Sequence, residues 1–172
     1  MFVGGFQHPP NVDAVEFYVN EIWPLLKERC PNLETYIIGS RMPDSLRKLG
    51  ESKGLKMLGF VEDLTPYYES CTVAIAPLRY GAGVKGKVNQ ALSFGLPVVG
   101  SAVAVEGMNL THEREVMVAE TAEDFAESII KVCSDPELWR TLSERGGASL
   151  EGRFTPEVAE EALRDALALW LD

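Results

Sequence analysis

Residues 72–99 constrain the fold more than any other stretch. Thr72 to Ala76 is a short apolar run, β-branched at three positions, with the length and composition of a buried strand. A glycine-rich segment from Gly81 to Gly86 follows and leads into helical spacing from about Lys85 to Phe94. Gly95 supplies a left-handed stop, Pro97 cannot continue the helix, and Pro97 to Gly100 is apolar again. A strand, loop, helix and strand in this order form a parallel crossover, and such units build sheets covered by helices on both faces.

The same alternation runs through the chain. Met1–Val3, Thr35–Ile38, Lys56–Leu58, Thr72–Ala76, Pro97–Gly100 and Arg114–Val118 are predicted strands. Asn11 is expected to cap a first helix whose apolar face is Val12, Val15, Val19, Ile22, Trp23 and Leu26, with a kink or break at Pro24. Short helices are expected over Pro43–Leu49 and Thr65–Ser70. Three more, at about Thr121–Cys133, Asp135–Gly146 and Thr155–Leu171, close the chain. The expected fold is α/β: a Rossmann-like three-layer domain with a six-stranded parallel sheet, helices on both faces and a C-terminal helical segment. Its 172 residues suffice for one domain, residues 1–172. The chain begins inside its first strand, so a truncated protein or excised domain is expected. Ligands in such sheets bind beyond the carboxyl ends of the strands. Gly4-Gly5, Gly39, Gly59-Phe60 and the loop at Gly81 all fall at that edge.

Charge singles out one of these places. The chain carries a formal −10, and from Glu120 onward there are 13 acids against 5 bases, read as solvated helical faces. Such acidity argues against nucleic acid as a partner. Yet no Asp or Glu occurs between Glu69 and Glu106, and the three bases of that interval, Arg79, Lys85 and Lys87, crowd the glycine loop. A glycine loop opening a helix presents free N–H groups and the positive end of the helix dipole. The combination reads as a phosphate-binding strand–loop–helix. It is not a Walker loop, because Gly86-Lys87 is followed by valine. Gly81, Gly83 and Gly86 spell G-x-G-x-x-G, but after the fourth strand rather than the first. The remaining reading of the loop is an ordinary helix start.

Cys30, Cys71 and Cys133 are odd in number and far apart, and are read as buried free thiols of a reducing, cytoplasmic compartment. No apolar run reaches membrane-spanning length, and no secretion leader is expected. No metal site or cofactor is expected. His8, after the first strand, is read mainly as polar surface, with ligand contact as the alternative.

Gly-Ala-Gly-Val-Lys-Gly-Lys-Val (81–88), then Ala91-Leu92, then Gly95-Leu96-Pro97-Val98-Val99, resembles the C-terminal half of GT-B glycosyltransferases of the retaining "group 1" family. Gly4-Gly5-Phe6 with His8-Pro9-Pro10-Asn11, Tyr36-Ile37-Ile38-Gly39 and Leu58-Gly59-Phe60-Val61 extend the resemblance, in the family's order, over most of residues 1–120. The resemblance implies a nucleotide-diphosphate sugar as donor and a missing N-terminal domain that carries the acceptor. Any peripheral membrane association would come through that missing half. Lys85 or Lys87 would supply the catalytic cation, the other being a solvated helix residue. Gly81, Gly83 and Val84 would offer the loop to the donor diphosphate, Gly83, Val84 and Lys85 through backbone N–H groups, with Arg79 as a second cation. Fixed donors aimed at a developing diphosphate charge lower the barrier without a metal.

The family's Glu, seven residues, Glu pattern falls on Ala82 and Gln90. Gln90 can still hydrogen-bond a ribose hydroxyl, without the strength of a carboxylate. Gln7 and His8 stand where many relatives carry a base. Phe60 and Val61 fall where relatives place the nucleotide base; for Phe60 the alternative is a core residue at a strand end. The last helix, with Leu163, Leu167, Trp170 and Leu171 on one stripe, would pack on the missing domain, and here is expected to be exposed or to form a homodimer. Two other functions stay open: one half of a nucleotide-sugar epimerase, or a non-catalytic module that kept the fold.

Overall fold

The computed structural model describes residues 1–151 together with Val158, Glu160, Leu163, Arg164 and Leu167. The strands are β1 (Phe2–Val3), β2 (Tyr36–Ile38), β3 (Lys56–Gly59), β4 (Ala74–Ala76), β5 (Val98–Gly100) and β6 (Met117–Val118). The helices are α1 (Pro9–Phe17), α2 (Trp23–Arg29), α3 (Asp44–Ser52), α4 (Thr65–Ser70), α5 (Gly86–Ser93), α6 (Ala102–Val105), α7 (Ala122–Ser134) and α8 (Pro136–Ala148).

All strand pairs are parallel, but they do not form the single six-stranded sheet expected. They form two three-stranded sheets, β1-β2-β3 and β4-β5-β6. The two edges meet at Met1, whose α-ammonium donates to the Val73 carbonyl at 2.7 Å and whose carbonyl accepts from Ile75 N–H at 2.8 Å. β1 is two residues long, too short to extend this seam into a ladder. The strands also start later than expected: β4 at Ala74 and β6 at Met117.

Right-handed crossovers of a doubly wound chain send α1–α3 to one face and α5 to the other. The contacts agree. α1 touches α3; α7 returns to α2 and β5; α8 lies on α5 and α7. Beside α5, Tyr68 of α4 stacks on Phe94 with centroids 4.7 Å apart. One continuous core spans both sheets, from Phe2 and Ile37 to Ile75, Val99 and Phe125.

The first helix does not begin as expected. Pro9 and Pro10 occupy its first two positions and His8 is the N-cap. Proline is favoured there because those N–H groups have no helical acceptor. Asn11 therefore lies inside α1, buried, and is not a cap. Between α1 and α2 the chain makes a π turn, Tyr18–Ile22, closed by Trp23 N–H on the Tyr18 carbonyl. Pro24 has no N–H for the Asn20 carbonyl, so the ladder shifts by one residue just before it. The apolar face still points inward, with Val15, Val19, Ile22, Trp23 and Leu26 all buried.

Of the apolar stripe expected near the C-terminus, Leu163 and Leu167 are helical and exposed, at 61% and 54%. Trp170 and Leu171 lie outside the described residues. The three cysteines are free, as expected, but not buried: Cys30 and Cys71 are half-buried and Cys133 is exposed. Among the described residues no helix is long and apolar enough to cross a membrane.

Candidate functional site

At two places on the carboxyl edge of the strands, Gly4 and Gly39, nothing larger than glycine fits. A β-carbon on Gly39, after β2, would run into the carbonyl of Gly4. One on Gly4 would come within 2.9 Å of both the Asn11 carboxamide and the Lys87 ammonium. The tips of β1 and β2 and the start of α5 therefore converge on one crevice.

The loop after β4 opens into that crevice. Gly81 and Gly83 have φ of 135° and 74°, conformations that L side chains rarely adopt. The loop is exposed from Gly81 to Val84. α5 starts at Gly86 with Lys85 as N-cap and no side-chain cap. Among the described residues, the amides of Gly83, Val84, Lys85, Gly86 and Lys87 have no protein acceptor; the first amide engaged is Val88, on the Lys85 carbonyl. Five successive free donors at the positive end of a helix make an anion cradle. At its far end α5 closes as the glycine predicts. Gly95 has φ 67°, its N–H bonds the Leu92 carbonyl and Leu96 N–H bonds that of Ala91.

The two lysines take different roles. Lys85 curls back on its own loop, its Nζ donating to the Gly83 carbonyl at 2.5 Å. Lys87 reaches across to β1. Its Nζ lies 4.2 Å from the Phe2 ring centroid and donates to Asn11 Oδ1 at 2.5 Å. Burial, with Lys85 nearby, lowers the Lys87 pKa to about 7. Sequence alone did not distinguish the two.

Arg79 does not turn to the loop. Its Nε donates to Asp13 Oδ2 at 2.9 Å, Nη2 meets Asp13 Oδ1, and the guanidinium lies 5.2 Å over Phe17. It ties the loop to α1. Gln90 is exposed on α5. Phe60 is not a core residue: it is 74% exposed at the tip of β3, while Val61 is half-buried against the core. His8 is exposed beside Gly5. Among the described residues no group of three or more His, Cys, Asp or Glu gathers as a metal site.

Two residues of this edge escaped the sequence reading. Tyr80 stands 47% exposed in the loop. Asn11 is the more telling: its Nδ2 donates to the Gly5 carbonyl at 2.7 Å while its Oδ1 holds Lys87. The paired prolines were the available signal, since they place the helix start before Asn11 and leave a buried amide needing partners. A separate recess opens at the opposite edge of the strands, lined by Met1, Thr35, Cys71 and Cys133, and contains none of the expected site residues.

Parallel strands joined by crossover helices, with a run of free amides at the start of α5, define a doubly wound α/β domain, a fold whose ligands generally sit beyond the carboxyl ends of the strands. Residues 1–135 match the sequence profile of the Glycosyl transferases group 1 family, and the chain belongs to that family. It is 27% identical over 138 residues to an uncharacterized 44.6 kDa protein in the cps region of Klebsiella pneumoniae, covering 76% of this chain and 36% of that one. The fold resembles the C-terminal domain of the group 1 glycosyl transferase LpcC from Francisella tularensis (TM-score 0.69, 12% identity, 91% of this chain and 84% of that one). It also resembles Anabaena HepE, solved with UDP and glucose (TM-score 0.78, 16% identity, 97% of this chain and 48% of that one). The chain thus spans about a third of its Klebsiella relative and about half of HepE.

Proposed function

We propose that this chain is the donor-binding half of a glycosyltransferase that moves a sugar from a nucleoside diphosphate sugar to an acceptor, with retention and without a metal. The observation that carries the reading is the run of free amides from Gly83 to Lys87, set beside the Lys87 ammonium at the tip of β1. Charge develops on the leaving diphosphate as the glycosidic bond breaks. Fixed N–H donors and an ammonium already in place stabilise that charge with little reorganisation. Lys87 is the catalytic cation in this reading. Lys85 holds the loop closed through Gly83 and adds positive potential. Gly81, Gly83 and Val84 shape the cradle, Gln90 receives the ribose, and Phe60 with Val61 faces the base. That HepE was solved with UDP and glucose supports this family of ligands.

The acceptor side belongs to a second domain, as the greater length of the relatives suggests. Titration of the chain with UDP, GDP and ADP tests the reading, with binding of at least one expected below millimolar. Silence toward all three would favour a non-catalytic module, which Ala82 and Gln90 in place of the family's acidic pair already recommend as the second reading. The isolated chain is expected to bind donor without transfer; sugar transfer to an added acceptor would contradict a site shared between two domains.

A further inference from the structure

We propose that Asn11 is the positioning residue of Lys87: its carboxamide, anchored on the Gly5 carbonyl, aims the Lys87 ammonium at the tip of β1, where a donor's diphosphate docks. The proposal rests on the donor-site reading above. Lysine carries its charge on a flexible four-carbon stem, and a lysine beside an open crevice ordinarily swings out to water. Lys87 does not. Its ammonium is drawn over the Phe2 ring, into space that exists because Gly4 has no β-carbon.

Asn11 supplies the hydrogen bond that keeps it there, and the Gly5 contact decides which way the amide faces. With Nδ2 committed to the Gly5 carbonyl, Oδ1 is the atom left for Lys87. The acceptor is neutral, so the ammonium is oriented without an ion-pair partner and its charge remains available to an anion. A carboxylate at the same place would neutralise it. The ionisable groups around Lys87 are Lys85 from the loop, His8 from the turn over Gly5, and Tyr68 of α4 in the small cavity along the Lys87 stem. The strands present Phe2, Ala76 and Val98, and α1 presents Asn11.

The test pairs two readouts on the whole chain. Lysine side chains labelled with 13C and 15N report the Lys87 titration by NMR, and calorimetry gives the UDP affinity from pH 6 to 9. In the wild type the affinity is expected to fall up to tenfold per pH unit above about 7, as the free enzyme's Lys87 loses its proton. Asn11→Asp, the same size, should raise the Lys87 midpoint by at least one pH unit. It should also weaken UDP about tenfold at pH 6.5 and flatten the pH dependence. Asn11→Leu should weaken UDP about tenfold, and this effect should vanish in a Lys87→Met background. An unmoved Lys87 midpoint in Asn11→Asp, or effects of Asn11 and Lys87 substitutions that simply add, would overturn the proposal. Asn11→Asp carries the test if Asn11→Leu does not fold. A wild-type chain that binds no nucleotide, yet shows the shifted midpoint in Asn11→Asp, would overturn the donor reading and the target assigned to Lys87 while upholding the Asn11–Lys87 link.

Discussion

Taking an ammonium out of water costs free energy, and Lys87 carries that cost at the tip of β1. Its pKa is about 7 in the folded chain against an ordinary 10.5. Between those values the unfolded chain holds a proton that the folded chain lacks, so stability rises with pH across that window. Lys87→Met should therefore stabilise the fold, by on the order of 2 kcal/mol at pH 6 after discounting for partial exposure, and by less at pH 9. Urea unfolding at the two pH values measures it. The same variant should lose at least tenfold in UDP affinity, which sets ligand binding against stability at one side chain. Gln90 offers the opposite change. It is exposed, so Gln90→Glu should leave the fold intact and tighten UDP about three- to tenfold through a charge-assisted bond to the ribose, read by calorimetry.

At the scale of elements, the helix ends carry local and separable contributions. Thr121 and Asp124 form a capping box at the start of α7, and Asp135 caps α8 by accepting from Glu137 and Leu138 N–H. Thr121→Ala or Asp135→Ala should each cost about 1 kcal/mol in urea unfolding, without changing nucleotide binding. The bounds of α7 and α8 fall within two residues of those expected, because the signals that start and stop a helix act within a few residues. The β4–loop–α5–β5 unit was readable for the same reason. What was hidden depends on distant partners. Whether β1 joins β4 in a ladder is decided by how many residues meet at Met1, not by either strand's composition. Lys85 and Lys87 look alike in the sequence, yet one folds back on Gly83 and the other crosses to Asn11, 76 positions earlier. For Phe60 the sequence left two readings, a residue facing a nucleotide base and a core residue at a strand end, because phenylalanine is usually buried; its 74% exposure just past β3 removes the second. α6, a four-residue helix held by Ser101 Oγ on Ala104 N–H, carries too few positions to show a period.

For the molecule as a whole, the two sheets share one core, and that core, rather than the short seam at Met1, unites them. Unfolding is expected to be a single transition, with tryptophan fluorescence and far-UV circular dichroism coincident in urea; two separated midpoints would show the sheets melting independently. The net charge of −10 leaves the anion cradle as a local exception on a repelling surface. The tightly abutting strand tips have a further consequence, for anyone seeking to retrain this domain on a different sugar nucleotide. A saturation library screened for altered preference should accept many residues at positions 60 and 90, whose side chains stand clear of the fold. Positions 4 and 39 should return glycine almost every time, since there the polypeptide leaves no room for chemistry to be rewritten.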